Sequence, residues 1–151
     1  MKIEKATQED HHILTEITKK SKAFWGYSAE QMTIWSDALT ISEEYIETHF
    51  VYKLIQENQV IGYYSYYFEN EKTIKLDNLF LLPEFIGKGI GNQLMTDFLH
   101  RIKEIPTIEK VLLDADPNAE KFYQKFGFTT IRQLETATKN RFLPIMELKL
   151  I

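Results

Sequence analysis

A chain of 151 residues, 44% hydrophobic and 13% aromatic, is long enough to bury one core and short for two domains of ordinary size, so a single domain over 1–151 is expected and global disorder is excluded. The 18 Lys and Arg against 22 Asp and Glu leave a formal charge of -4, which offers no positive field to DNA or RNA, so nucleic acid is not an expected partner. The absence of cysteine excludes a disulfide scaffold, a thiolate zinc site and a cysteine nucleophile.

The first ten residues are acidic and carry no apolar h-region, and no later stretch approaches the ~18 apolar residues of a membrane span, so a soluble, cytoplasmic protein is expected. Residues 2–6 alternate as a short strand. Thr7 with Asp10 reads as a capping box opening a helix with Ile13, Leu14 and Ile17 on one face. Ser28 to Gln31 signals a second helix start before Met32, Trp35 and Leu39, and Ser42 with two glutamates opens a short third helix to about His49. From Phe50 the period changes to two, giving strands over 50–56, 59–68 and 73–82 joined at Glu57-Asn58 and near Asn70-Glu71, an antiparallel meander. A helix follows over 89–103, with Leu94, Met95, Phe98, Leu99 and Ile102 at helical spacing, and Val111 to Asp114 is the next strand of a βαβ unit. Pro117 begins a helix bearing Ala119, Phe122, Tyr123 and Phe126, which Gly127 ends. Strands over 128–134 and 144–150 close the sheet around a polar connection.

Three of the six glycines stand in Gly87-Lys88-Gly89-Ile90-Gly91, between a strand end and a helix start. Glycines let backbone N–H groups converge there, and the helix N-terminus adds about half a positive charge, so the cluster suits an anion such as phosphate. Ile86 to Thr96 contains no carboxylate and contains Lys88. A plain tight turn before a helix is the other reading. A P-loop is excluded because Gly89, not Ser or Thr, follows Lys88. A dinucleotide fingerprint from Gly87 fails at Asn92 and should open the first βαβ unit, whereas this cluster follows a meander. Downstream, Asp116-Pro117-Asn118 precedes Phe122-Tyr123 and Gly127-Phe128, with Asn118, Phe122 and Tyr123 on the first two turns of a helix whose start lies at the same carboxyl-end sheet edge as the glycine loop. Phe122, Phe126 and Phe128 read as core. Tyr123 is open between a packed tyrosine and a phenol that delivers a proton.

Leu76 to Leu94, Leu-Asp-Asn-Leu-Phe-Leu-Leu-Pro-Glu-Phe-Ile-Gly-Lys-Gly-Ile-Gly-Asn-Gln-Leu, followed by Asp116-Pro117-Asn118-Ala119, Phe122-Tyr123 and Gly127-Phe128, resembles the GNAT superfamily of acetyl-CoA-dependent N-acetyltransferases. The order of elements matches over nearly the whole chain. The resemblance implies an α/β (α+β) GNAT fold: a mixed, mostly antiparallel sheet splayed between its fourth and fifth strands and flanked by helices. It also implies acetyl-CoA as cofactor without a metal, and an amine acceptor. Carried over by position, Gly87, Lys88, Gly89, Ile90, Gly91 and Asn92 bind the pyrophosphate, mainly by backbone N–H groups. The backbone of Phe80, Leu81 and Leu82 pairs with pantetheine as a strand would, with an N–H near Leu81 polarising the thioester carbonyl. Asn118 contacts the cofactor arm with Phe122 beside it, and Tyr123 protonates the departing thiolate. The family motif usually begins with Arg or Gln where this chain has Ile86, a departure that weakens a side-chain contact to phosphate and leaves the backbone cradle intact.

Transfer to an amine needs the neutral nucleophile, so its proton must be accepted. Asp77 holds the position where the family often has an acidic residue acting directly or through water; a surface carboxylate is its other reading, and Asp114 is a weaker candidate. Twelve of the 20 aromatics fall in the first 70 residues. Tyr64 and Tyr66 point to one side of a strand and Tyr63 and Tyr67 to the other, so one pair is expected to face away from the core and serve an acceptor pocket or a homodimer interface. By family analogy Phe24, Trp25 and Tyr27 cover the acceptor, where aromatic faces with Glu30 or Asp37 suit a cationic amine. Helix packing is the plainer role for each of these aromatics. The four histidines lack metal-ligand spacing, and His11 and His12 read as exposed helix residues. Two competing readings remain open: an acyl-CoA-binding sensor with Tyr123 merely packed, and an aromatic-rich interaction domain whose loop holds another anion.

Overall fold

The computed structural model describes residues 1–138 and 140–150; Lys139, in the polar connection between the last strands, and Ile151 lie outside the described residues. The helices are α1 (His11–Ala23), α2 (Ala29–Ile34), α3 (Glu43–Thr48), α4 (Ile90–Lys103) and α5 (Glu120–Gln124). The strands are β1 (Lys2–Lys5), β2 (Phe50–Gln56), β3 (Gln59–Asn70), β4 (Thr73–Leu81), β5 (Lys110–Asp114), β6 (Thr129–Glu135) and β7 (Phe142–Lys149). Among the described residues the strand order is β1-β2-β3-β4-β5-β7-β6, the mixed sheet expected from the sequence. The chain forms two compact units, one of residues 1–66 and 78–101, the other of residues 67–77 and 102–151, so β3 and β4 each run from one unit into the other.

In the first unit the start signals act as read. Thr7 and Asp10 form the capping box, Ser28 accepts from the Gln31 N–H at 3.0 Å, and Ser42 accepts from that of Tyr45 at 3.0 Å. Leu14, Ile17, Thr18 and Ser21 form the buried stripe of α1. α2 stops at Ile34, short of the expected Trp35 and Leu39, and the chain continues in turns. β1 pairs antiparallel with β2 and β2 with β3, Tyr52 facing Tyr64. The two-residue turn between β2 and β3 holds Glu57 and Asn58 at φ 50° and 63°, the left-handed pair that a tight hairpin demands. Ile61 to Tyr66 are all buried, which overturns the expectation that one tyrosine pair of β3 faces away from the core. Alternation holds, but helices cover both faces. Tyr63 meets Thr18 of α1 through their hydroxyls at 2.5 Å, and Tyr64 and Tyr66 pack on Phe98 of α4 with ring centroids 5.5 and 5.4 Å away.

The Asp10 carboxylate also meets Lys53 Nζ at 2.9 Å. Burial works against its charge, and hydrogen bonds from Lys53 and from the Thr7 backbone outweigh burial, so its pKa lies below the ordinary 3.8. A lowered folded pKa gives stability that is present above the unfolded value and lost as pH falls through the folded one. Asp10→Ala is therefore expected to cost about 1–2 kcal/mol at pH 7, with a clearly smaller gap at pH 3, as measured by urea unfolding at both values. An equal gap at the two pH values would remove the charge from this account.

In the second unit β4 runs parallel to β5 over Thr73–Lys75 against Lys110–Leu112, β5 is antiparallel to β7, and β7 to β6. Ile74, Ile102, Val111 and Met146 are fully buried. Pro117 to Ala119 form a 3-10 turn ahead of α5, so Asn118 sits on that turn and not on the α-helix expected at this point. The cause is Asp116, whose Oδ1 accepts from both the backbone and the side-chain nitrogen of Asn118 at 2.9 Å and holds a tighter first turn.

Candidate active site

In the first unit β4 ends at Leu81, Pro83 to Phe85 make a 3-10 turn, and residues 86–89 turn into α4. Gly87 and Gly89 both stand at φ +80°, and a Cβ built on either meets nothing within 4 Å. Glycine is thus required there for its backbone conformation, and the same openness leaves the loop backbone accessible. α4 follows with 14 residues and no acidic residue in its first turn, and its leading N–H groups have no partner within the helix. Ile90 is buried and anchors the helix start, while Lys88 and Asn92 are exposed. The fit to a pyrophosphate is good: bare backbone donors, a positive helix end and no carboxylate from Ile86 to Thr96.

The backbone just before this loop is brought close to β3. A Cβ on Gly62 would lie 2.5 Å from Leu81 Cδ2 and 2.9 Å from the Phe80 carbonyl oxygen, so glycine is required here for close approach. The Leu82 N–H donates to the Ile61 carbonyl at 2.8 Å. Since backbone groups alternate sides along a strand, Phe80 and Leu82 turn theirs toward β3, and Leu81 turns its N–H and C=O away. Of the three residues expected to pair with pantetheine, Leu81 is the one with that outward pair.

The candidate acceptor aromatics are placed differently from one another. Phe24 and Trp25 are 49% and 40% exposed and meet edge to face, whereas Tyr27 packs on Trp35 at 4.9 Å with the Lys22 ammonium 5.4 Å from its ring. Tyr64 is locked in the core: its hydroxyl donates to Asp97 at 2.6 Å and accepts from Arg101 at 3.1 Å. Tyr66 lies beside it, its phenol pushed up to about 12, chiefly by burial. Sequence reasoning missed one cluster on the same unit. Asn78 of β4 donates from Nδ2 to the Tyr45 and Ser65 hydroxyls, both at 3.0 Å, and those two hydroxyls are 2.8 Å apart. His49 stacks on the Tyr45 ring at 3.9 Å. These residues come from α3, β3 and β4 and sit up to 33 positions apart, so no periodicity could pair them.

In the second unit Tyr123 is buried on α5, its ring edge-on to Phe122 at 5.2 Å and to Phe128 at 5.9 Å. Burial, and then the charge of Asp116, push the phenol pKa up from its ordinary value. Among the described residues its hydroxyl has no hydrogen-bond partner. Phe128 is buried, and Phe122 and Phe126 are half-buried against each other at 5.3 Å. Asp77 is exposed on β4, and Asp114 is paired with Lys75 Nζ at 2.9 Å. Asp116 also meets Arg141 at 3.4 Å. His12 is exposed, but His11 is half-buried with Nε2 3.4 Å from Glu43, which corrects the expectation of two exposed histidines. Among the described residues no group of three or more His, Asp or Glu could hold a metal, and no helix is long and apolar enough to cross a membrane.

Known structures share this architecture. The chain is similar to the PaiA N-acetyltransferase of Thermoplasma acidophilum, a complex with coenzyme A, at 22% identity over 98% of each chain with a TM-score of 0.79. It is similar to Ard1 of Thermoplasma volcanium at 19% identity, over 99% of this chain and 97% of that one, with a TM-score of 0.73. It is also similar to yncA of Salmonella typhimurium, a putative acetyltransferase with acetyl-CoA, at 18% identity over 100% and 94%, with a TM-score of 0.70. No curated protein sequence matches the chain. At these identities the neighbours establish the fold, and the family follows from the sequence model of the GNAT acetyltransferase domain, which matches residues 11–150. With nearly its whole length under that model and its β4, glycine loop and α4 in the order described, the chain belongs to the GNAT acetyltransferase family.

Proposed function

We propose that the chain is a single acetyltransferase domain that moves an acetyl group from acetyl-CoA to a primary amine of a small molecule or protein. The observation that carries this reading is the open loop with two glycines at φ +80° feeding the N-terminus of α4. Bound there, acetyl-CoA supplies an acetyl group already activated as a thioester. Gly87 to Asn92 hold its pyrophosphate by backbone N–H groups, with Lys88 a solvated charge beside them. The Leu81 N–H, turned away from β3, is the donor suited to the thioester carbonyl, and no metal is needed for that task. Asn118 and Phe122 steady the cofactor arm. Tyr123, kept protonated by burial, donates a hydrogen bond to the sulfur as the C–S bond breaks. The amine's proton goes to Asp77 or to water. Phe24, Trp25 and Tyr27 cover the acceptor, while Tyr64 and Tyr66, packed on Phe98 on the α4 face of the sheet, back the strand that carries it.

The test pairs calorimetry with coenzyme A and thiol release from acetyl-CoA in the presence of a panel of primary amines. Micromolar binding and amine-dependent thiol release are expected, with Asp77→Asn slower mainly at low pH if Asp77 is the base. Coenzyme A binding without thiol release would make the protein an acyl-CoA-binding regulatory module instead. No binding would leave the loop to another anion.

A further inference from the structure

We infer that Asn78 receives the acceptor amine through its side-chain carbonyl oxygen, and that Tyr45 and Ser65 hold that oxygen in place; this rests on the acetyltransferase reading above. The Asn78 amide nitrogen donates to the Tyr45 and Ser65 hydroxyls, each at 3.0 Å. The two hydroxyls are themselves 2.8 Å apart, so the three groups form a ring of hydrogen bonds that ties the Asn78 amide to α3 and β3. Among the described residues, Oδ1 then takes no hydrogen bond. Ser65 is fully buried while Tyr45 and Asn78 are partly so, and the Asn78 oxygen is not sealed from solvent, so a ligand N–H can reach it in place of water. A primary amine is a donor whether or not it carries its extra proton.

The position agrees. Asn78 and Phe80 are two apart on β4 and share a face, as do Tyr63 and Ser65 on β3, and the Tyr63 and Phe80 rings are 6.1 Å apart on that face. This is the side that α1 and α3 cover, through Thr18 and Tyr45. The strand then leads directly to Leu81. Asp77 points to the opposite face of β4, so an amine held by Asn78 gives its proton first to water, and Asp77 can take it only by that route.

Asn78→Ala and Asn78→Asp separate this role from a structural one. The aspartate keeps an oxygen where Oδ1 stands and loses the two donors, while the Tyr45 and Ser65 hydroxyls can each donate to it instead. The probes are butylamine, 2-phenylethylamine, a diamine and a short peptide with a free N-terminus. Each is titrated by calorimetry into protein saturated with coenzyme A, where no transfer can occur, and KM is measured with acetyl-CoA. Asn78→Ala is expected to weaken amine binding and raise KM about 10-fold, with coenzyme A affinity within about twofold of wild type. Asn78→Asp should stay within about threefold of wild type on both measures. Tyr45→Phe, which keeps the ring stacked on His49, should weaken amine binding about threefold and serves if the alanine variant does not fold. Equal losses in the alanine and aspartate variants would mean that only the Nδ2 donors matter and would overturn the inference, as would unchanged amine binding in Asn78→Ala. A wild-type protein that releases thiol with a panel amine, yet shows either result, overturns this inference alone. One that neither binds nor acetylates any panel amine overturns the reading it rests on, and this inference with it.

Discussion

Gly89→Asp is expected to raise the dissociation constant for coenzyme A by about 100-fold or more, the largest effect of any single change outside the core. Two causes act together. At φ +80° a side chain other than glycine strains the backbone by about 1–2 kcal/mol, and relief of that strain would move the N–H groups that must converge on phosphate. A carboxylate at the loop also sets a like charge near the pyrophosphate, which at about 5 Å and an effective dielectric near 20 costs about 3 kcal/mol. Gly89→Asn separates the two, since asparagine tolerates the left-handed region and carries no charge; a loss of about 10-fold is expected for it. Because a Cβ at Gly89 meets nothing within 4 Å, both variants should fold, with melting temperatures a few degrees below wild type. Calorimetry with coenzyme A checks this directly, and an unchanged dissociation constant in folded Gly89→Asp would remove the phosphate from the loop.

The local parts of this fold are legible in the sequence because they are written in short-range chemistry. Ser28 and Ser42 announce helix starts through hydroxyls that accept from N–H groups three residues on, and at Thr7 the signal works in reverse, its own N–H donating to the Asp10 carboxylate at 2.8 Å. The change to a period of two at Phe50 marks β2 to its last residue, and β3 and β4 to within two residues at any end. What failed depends on partners far along the chain. Tyr64 and Tyr66 alternate as read, but whether a strand face is open or covered is decided by α4, some 30 residues later, and Asp97 and Arg101 close that face with hydrogen bonds. Asn118 was drawn out of the helix by a residue only two positions away. The Asp-Pro-Asn order could have signalled that turn, since aspartate before proline favours exactly such local hydrogen bonding over a continuous helix. The ring of Tyr45, Ser65 and Asn78 carries no pattern along the chain, because the three meet only when α3 packs on the sheet.

Tyr123→Phe is expected to lower turnover by about 10-fold to 100-fold while leaving the fold and the cofactor affinity in place. The substitution removes one oxygen and keeps the ring that packs on Phe122 and Phe128. Among the described residues that oxygen makes no hydrogen bond, so its loss should shift the melting temperature by no more than a degree or two. The size of the rate effect follows from the acidity of the two partners. Burial, aided by Asp116, raises the phenol pKa above its ordinary 10, whereas a thiol ionises near 8.5. Full proton transfer from this tyrosine to the departing thiolate is therefore uphill, and the phenol acts mainly by donating a hydrogen bond to sulfur as charge builds there. That places the gain at or below the low end of the ~100-fold to 10,000-fold range of general acid catalysis. The dissociation constant for acetyl-CoA should move by less than about fivefold, the worth of an ordinary hydrogen bond. The raised pKa adds a second expectation: turnover by the wild-type enzyme should show no alkaline decline from tyrosine ionisation below about pH 10. Turnover with a working amine across pH 6–10, with melting temperatures as control, decides the matter. Equal turnover in the two proteins would return Tyr123 to a packing role, and an alkaline limb below pH 10 that disappears in Tyr123→Phe would contradict the raised pKa.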